Sequence, residues 1–142
     1  MEKRRIETRE EVNAYLARLR YLLNNKTGIT IQLKRNVDEI KPIQNTNQFT
    51  VTDLFPDENP EEALKRELAT LTVQEYLGTV KDTHFPKKSE MREFGKVYEG
   101  AKEVYIKFRV EILASANEPP LFVMSFHYAM IPFDKEVFPY KE

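Results

Sequence analysis

Tyr105, Lys107, Arg109, Ser125 and His127 are the residues of this chain whose types and spacing could do chemistry together. Imidazole exchanges a proton near neutral pH without help from its surroundings. A guanidinium grips a phosphate through two parallel hydrogen bonds, and an ammonium adds a point charge. A phenol stacks on a base or orients a ribose. Gathered at one spot, these groups would suit acid–base chemistry on a phosphodiester.

Two segments must do the gathering. In Glu103–Leu113, the apolar residues Val104, Ile106, Phe108, Val110 and Ile112 alternate with Glu103, Tyr105, Lys107, Arg109 and Glu111. A period of two is that of a strand with one buried and one wet face. Leu121–Met130 is apolar almost throughout, interrupted by Ser125 and His127. The connector Ala114–Pro120 is short and rich in turn residues, which predicts an antiparallel hairpin. Folding symmetrically about Asn117 sets Phe126 opposite Phe108 and Met124 opposite Val110, so the bulky faces coincide. The same register sets His127 opposite Lys107, Ser125 opposite Arg109, and Tyr105 diagonally beside His127. Lys107 would then disfavour the imidazolium and keep His127 available as a base. Each residue also has a plainer reading. A histidine in an apolar strand is commonly half-buried and hydrogen-bonded, Lys107 and Arg109 suit an ordinary solvated face, and Tyr105 suits a cross-strand ring contact.

Composition narrows the classes. At 142 residues the chain has the size of a single domain and can bury a core without metal or disulfide support. It contains no cysteine, so disulfides, thiolate nucleophiles and thiolate metal sites are excluded for it. Four glycines, none in a phosphate-loop spacing, argue against nucleotide-loop folds, and no Gly-x-Ser-x-Gly elbow is present. His84 and His127 stand far apart, which makes a zinc site an unfavoured reading. A net charge of −1 means that any polyanion site must be a local cluster. The charged N-terminus, Met1–Glu10, reads as no signal peptide, and no apolar run has the length of a membrane span. The expected location is therefore cytoplasmic.

Along the chain, Thr8-Arg9-Glu10-Glu11 is a capping box opening a helix whose apolar residues run from Val12 to Leu23 and which ends in Asn24–Gly28. Ile29–Leu33 reads as a short strand. Lys34–Phe55 reads as irregular, with one strand at Gln48–Val51. Asn59-Pro60-Glu61-Glu62 starts a second helix with Ala63, Leu64, Leu68 and Leu71 on its apolar side. Thr72 is expected to start a short helix over Val73–Leu77. Thr79–Glu90 reads as a polar loop carrying Lys81, His84, Lys87 and Lys88. Arg92–Tyr98 reads as a strand turning at Glu99-Gly100-Ala101. The tail, Ile131–Glu142, reads as extended, with its aromatics on the sheet edge. The sum is a single α+β domain over 1–142: a mainly helical part over 1–80, an antiparallel meander over 91–130, and the tail.

Four blocks, Leu71–Tyr76 (LTVQEY), Phe94-Gly95-Lys96, Val104-Tyr105-Ile106-Lys107 and Ser125-Phe126-His127, resemble in order and spacing the bacterial toxins of the motility quorum-sensing regulator (MqsR) type. The resemblance spans roughly residues 60–130. It implies a RelE-like fold, with helices packed on an antiparallel sheet, and metal-independent cleavage of mRNA without a cofactor. It also implies an antitoxin protein as partner, with mRNA, free or on the ribosome, as substrate. Tyr105 matches the family's catalytic tyrosine, and His127 stands where the best-known members have a lysine. A family lysine after the Leu-Thr block has no clear equivalent, Gly78 or Lys81 standing in its place, and a family glutamine is missing from Arg92-Glu93-Phe94. The expected catalytic residues are His127, Tyr105 and Lys107, with Arg109, Ser125, Lys81 and Lys96 binding substrate. The alternatives are a non-catalytic α+β module that binds protein or RNA, and an inactive relative of the toxins.

Overall fold

A computed structural model describes residues 4–25, 29–31, 45–83, 85–111 and 120–142. Among them are α1 (Arg9–Asn24), β1 (Ile29–Ile31), α2 (Asn47–Leu54), α3 (Pro60–Leu68), β2 (Tyr76–Val80), β3 (Met91–Tyr98), β4 (Lys102–Val110) and β5 (Leu121–Tyr128). The fold is α+β, as expected. The five strands form one sheet in the order β1-β5-β4-β3-β2. The sheet is mixed rather than antiparallel, because β1 adds to β5 in parallel. The antiparallel meander is β2 to β5, one strand longer than predicted.

The predicted starts of α1 and α3 are built as their sequences dictate. The Thr8 side chain accepts from Glu11 N, and Glu11 returns a carboxylate to Thr8 N, so two N–H groups left over by the helix are satisfied. Asn59 caps α3 through Glu62 N, with Pro60 in the first turn. Val12, Leu16 and Leu19 of α1 and Leu64 and Leu68 of α3 are fully buried against Phe94 of β3, Val104, Ile106 and Phe108 of β4, and Val123 and Phe126 of β5. That leaves Tyr105, Lys107, Arg109, Ser125 and His127 on the opposite face, called here the outer face.

Three local expectations are corrected. Gln48–Val51 is not a strand but part of α2. Thr46 caps that helix, and its buried polar residues are spent on the edge of β5. Asn47 Nδ2 donates to Met124 O at 2.8 Å and Asn47 Oδ1 accepts from Phe126 N at 2.9 Å, while Thr50 Oγ1 accepts from Tyr128 N at 2.8 Å. Among the described residues β1 pairs with Leu121–Val123, and these side chains satisfy backbone groups farther along the same edge. The expected helix over Val73–Leu77 is a 3₁₀ turn, Val73–Glu75, that runs straight into β2, every residue of which is buried. The tail is not simply extended, although its Tyr140 does stack on Tyr76 of the edge strand β2, as expected of the tail aromatics. It makes a 3₁₀ turn at Phe133–Lys135 and crosses the outer face. The parts of the irregular segment before Asn45, the connector residues 112–119, and His84 lie outside the described residues.

Candidate functional site on the outer face

The β4–β5 hairpin forms, but its register differs from the symmetric estimate by two residues. Tyr105 is directly opposite His127, and Lys107 opposite Ser125. Past Lys107 a bulge intervenes: Phe108 pairs with Val123, leaving Met124 as the extra residue. The bulge lets Leu121, Val123 and Phe126 all enter the core despite their uneven spacing. It also sets Arg109 opposite Phe122 rather than Ser125, and Val110 opposite Leu121 rather than Met124. His127 therefore faces a phenol, not the Lys107 ammonium.

The two rings lie with centroids 5.4 Å apart, tilted by 39°. His127 is only 6% exposed, walled not by the helices but by the tail. Its Nδ1 is 2.9 Å from Tyr128 O. A carbonyl oxygen can only accept, so Nδ1 carries a proton, and in the neutral form of the ring Nε2 would be the accepting nitrogen. The Tyr105 hydroxyl donates to Glu93 Oε2 in a short hydrogen bond. Glu93 is opposite Lys107 on β3 and is itself buried.

Arg4 completes the cluster from the other end of the chain. Arg5 and Thr79 exchange two backbone hydrogen bonds of 2.8 Å, which fixes the N-terminal segment along β2. Arg4 then lies across Gly78, where a Cβ would come within 3.0 Å of its Cγ and Cδ. Its Nε donates to Glu93 Oε1 at 2.8 Å. Its Nη1 and Nη2 donate to the two oxygens of Glu136 at 2.9 and 3.2 Å. Glu136 first, then Glu93, hold the guanidinium pKa above its ordinary value against the opposing effect of burial.

The tail segment that carries Glu136 is a strap. It leaves β5 where Ala129 N donates to Glu103 O at 2.9 Å, and Phe133 N donates to Glu103 Oε1 at 3.0 Å. Phe133 and Phe138 then pack on Gly95 of β3, where a Cβ would meet their ring tips at 2.8 and 2.9 Å. Tyr140 stacks on Tyr76 and donates to Glu7 O. Between strap and sheet is a cavity of about 330 Å³, lined among others by Arg4, Glu93, Tyr105, His127, Phe133 and Glu136.

Of the residues singled out from sequence, His127 and Tyr105 line the cavity together, while Lys107 and Ser125 pair next to them on the outer face without lining it. Arg109 shares the face but is otherwise engaged: Asp82 Oδ2 is 2.6 Å from its Nη1, Glu111 Oε1 is 3.3 Å from its Nε, and it lies over the Phe122 ring. Lys96 alternates with Gly95 onto the helix side and pairs with Glu75 at 3.2 Å. Lys81 is exposed beyond β2 and does not line the cavity. Sequence reasoning missed Glu93, Arg4 and Glu136. The first could have been found by applying the period of two to Arg92–Tyr98, which puts Glu93, Gly95 and Val97 on one face. The other two had no local signal, since only the tertiary path of the termini brings them in. Among the described residues no group of three His, Asp or Glu side chains is disposed to hold a metal ion.

The arrangement offers a proton acceptor, a phenol polarised by a carboxylate, and a guanidinium whose forked end is turned towards an anion. Comparison with protein families, with curated proteins and with solved structures gives no match to this chain.

Proposed function

We propose that the chain is a metal-independent endoribonuclease, the toxin of a bacterial toxin–antitoxin pair of the MqsR type with a RelE-like fold. It would act in the cytoplasm on mRNA, with an antitoxin as its protein partner. The observation that supports this reading best is the direct pairing of Tyr105 with His127, with Glu93 on the phenol, in one cavity of the outer face. His127 Nε2 takes the proton of the substrate 2′-hydroxyl as its oxygen attacks the adjacent phosphorus. The P–O5′ bond breaks, the imidazolium returns its proton to O5′, and the products are a 2′,3′-cyclic phosphate and a 5′-hydroxyl. General acid–base action of this kind contributes about 10²–10⁴ in rate. Lys107, beside the pair on the same face, stabilises the crowded charge on phosphorus, and Tyr105 orients the nucleotide.

Purified protein incubated with single-stranded RNA in the presence of a chelator should yield 5′-hydroxyl ends. A 2′-deoxy residue at the cleaved position should block the reaction. Intact RNA, or cleavage indifferent to the 2′-deoxy substitution, would overturn the mechanism. Induced expression in a bacterial host, with RNA ends mapped, tests the toxin assignment.

One observation favours a second reading, a non-catalytic module that binds protein or RNA. Arg4 and Arg109 are already matched by carboxylates, and His127 is nearly covered. That reading predicts RNA retention without new ends.

A further inference from the structure

We infer that Arg4 is the phosphate-binding residue of the outer-face cavity and that Glu136 of the strap occupies it as an internal competing anion. The inference rests on the ribonuclease reading for its substrate, a phosphodiester of RNA, but the anion site itself can be tested apart from cleavage.

Three observations carry it. The first is the fork. Both Nη atoms of Arg4 meet both oxygens of Glu136, at 2.9 and 3.2 Å, the parallel arrangement a guanidinium makes equally with a carboxylate or with two phosphate oxygens. The second is that Arg4 is positioned independently of Glu136. Its stem lies on bare Gly78, its segment is pinned by the Arg5–Thr79 bridge, and its Nε is bound by Glu93. If Glu136 departs, two donors remain aimed into the cavity that also holds His127 and Tyr105. Glu93 cancels part of the charge but leaves the donors in place.

The third is the build of the strap. Its apolar side chains Met130, Ile131 and Val137 are 54%, 56% and 74% exposed, so they do not fasten it to the sheet. It is held by Phe133 and Phe138 over Gly95, by Glu103 and by the Arg4–Glu136 pair, with Tyr140 anchoring the far end. A segment so held can lift between Ala129 and Tyr140 without disturbing the core. The affinity for an incoming anion is then reduced by the fraction of molecules in which the strap is closed.

Inorganic phosphate and a short single-stranded RNA are the two probes, titrated by NMR into the full chain and into Glu136→Gln. The variant keeps the shape of the side chain and removes its charge. If the strap is closed in about nine molecules of ten, phosphate affinity rises about tenfold. Phe133→Ala, which keeps both charges and loosens the strap through its packing, should move affinity in the same direction. Arg4→Gln combined with Glu136→Gln should abolish the gain. A phosphate affinity unchanged in both Glu136→Gln and Phe133→Ala, or a gain that survives loss of Arg4, overturns the inference. The two readings part cleanly. Tighter phosphate binding with no RNA cleaved by any variant keeps the anion site and removes the nuclease. Cleavage by the wild-type chain with phosphate affinity unchanged in both strap variants keeps the nuclease and removes the competing anion.

Discussion

Tyr105 and His127 are direct cross-strand partners on the outer face, and the Tyr105 hydroxyl is tied to Glu93 on the next strand. One three-strand layer thus links a proton acceptor to a carboxylate through a phenol. Tyr105→Phe keeps the ring contact with His127 and deletes only the hydroxyl, while Arg4 still holds the other Glu93 oxygen. The folding cost should be about 1.5–3 kcal/mol, since a buried carboxylate oxygen loses its donor. His127→Ala should likewise leave the sheet intact but lower cleavage by about 10²–10⁴. Single-turnover cleavage measured beside a thermal melt separates the two effects, and full cleavage by His127→Ala would remove the imidazole from the chemistry.

Much of this layer was legible because it follows from alternation. Val104 to Val110 fixes which face of β4 is wet, and with it the side on which Tyr105 and Lys107 must lie. The register was not legible, because the Met124 bulge breaks the period of two in β5 and no residue type announces a bulge. α2 was misread for a related reason. Asn47, Thr50 and Val51 carry almost no helical stripe, since two of the three serve the β5 edge through polar groups rather than the core through apolar ones. Arg4 and Glu136 stand at opposite ends of the chain, and their meeting depends on bare positions at Gly78 and Gly95 that matter only once the termini are seen to cross them.

The edge role of Asn47 makes a stability prediction. Asn47→Ala leaves Met124 O and Phe126 N without their partners in a buried setting. The expected loss is about 1–3 kcal/mol, read as a lower urea midpoint with unchanged slope. Freed backbone groups on β5 should also raise concentration-dependent aggregation. A midpoint within error of the wild type would show that the α2 cap does not contribute to holding the edge.

Gly95 makes a prediction about the strap. A methyl there would sit within 3 Å of the Phe133 and Phe138 ring tips. Those rings are the far ends of side chains on a surface segment, so the strap should yield before β3 does. Gly95→Ala is expected to speed amide exchange and protease cleavage in Met130–Phe138 while exchange in β3 and β4 stays slow. The stability loss should be about 1–3 kcal/mol, typical of overpacking. Equal loosening of strap and sheet would contradict the picture of a separately anchored cover.

The Glu7–Arg92 pair predicts how the fold responds to acid. Glu7 is buried, which by itself would raise its pKa. Hydrogen bonds from Arg92 Nε at 2.8 Å and Thr79 Oγ1 at 2.6 Å outweigh burial and hold the carboxylate below its ordinary value of 4.5. A depressed folded pKa favours the folded state wherever the group is ionised. This contribution is therefore complete above about pH 4.5 and is lost as pH falls through the folded value. Tyr15, over which Arg92 sits at 4.1 Å, gives the opposite limb. Burial, partly offset by Arg92, pushes its phenol up to about 12, so its contribution is complete below pH 10 and is lost between 10 and about 12. Glu7→Gln leaves Arg92 without its buried counter-charge and should cost about 3 kcal/mol at pH 7. Because the wild-type carboxylate is neutralised in acid, the gap between wild type and Glu7→Gln should narrow steadily below pH 4.5 in urea melts. A gap that stays constant down to pH 2.5 would mean that the carboxylate is not ion-paired with Arg92 in solution.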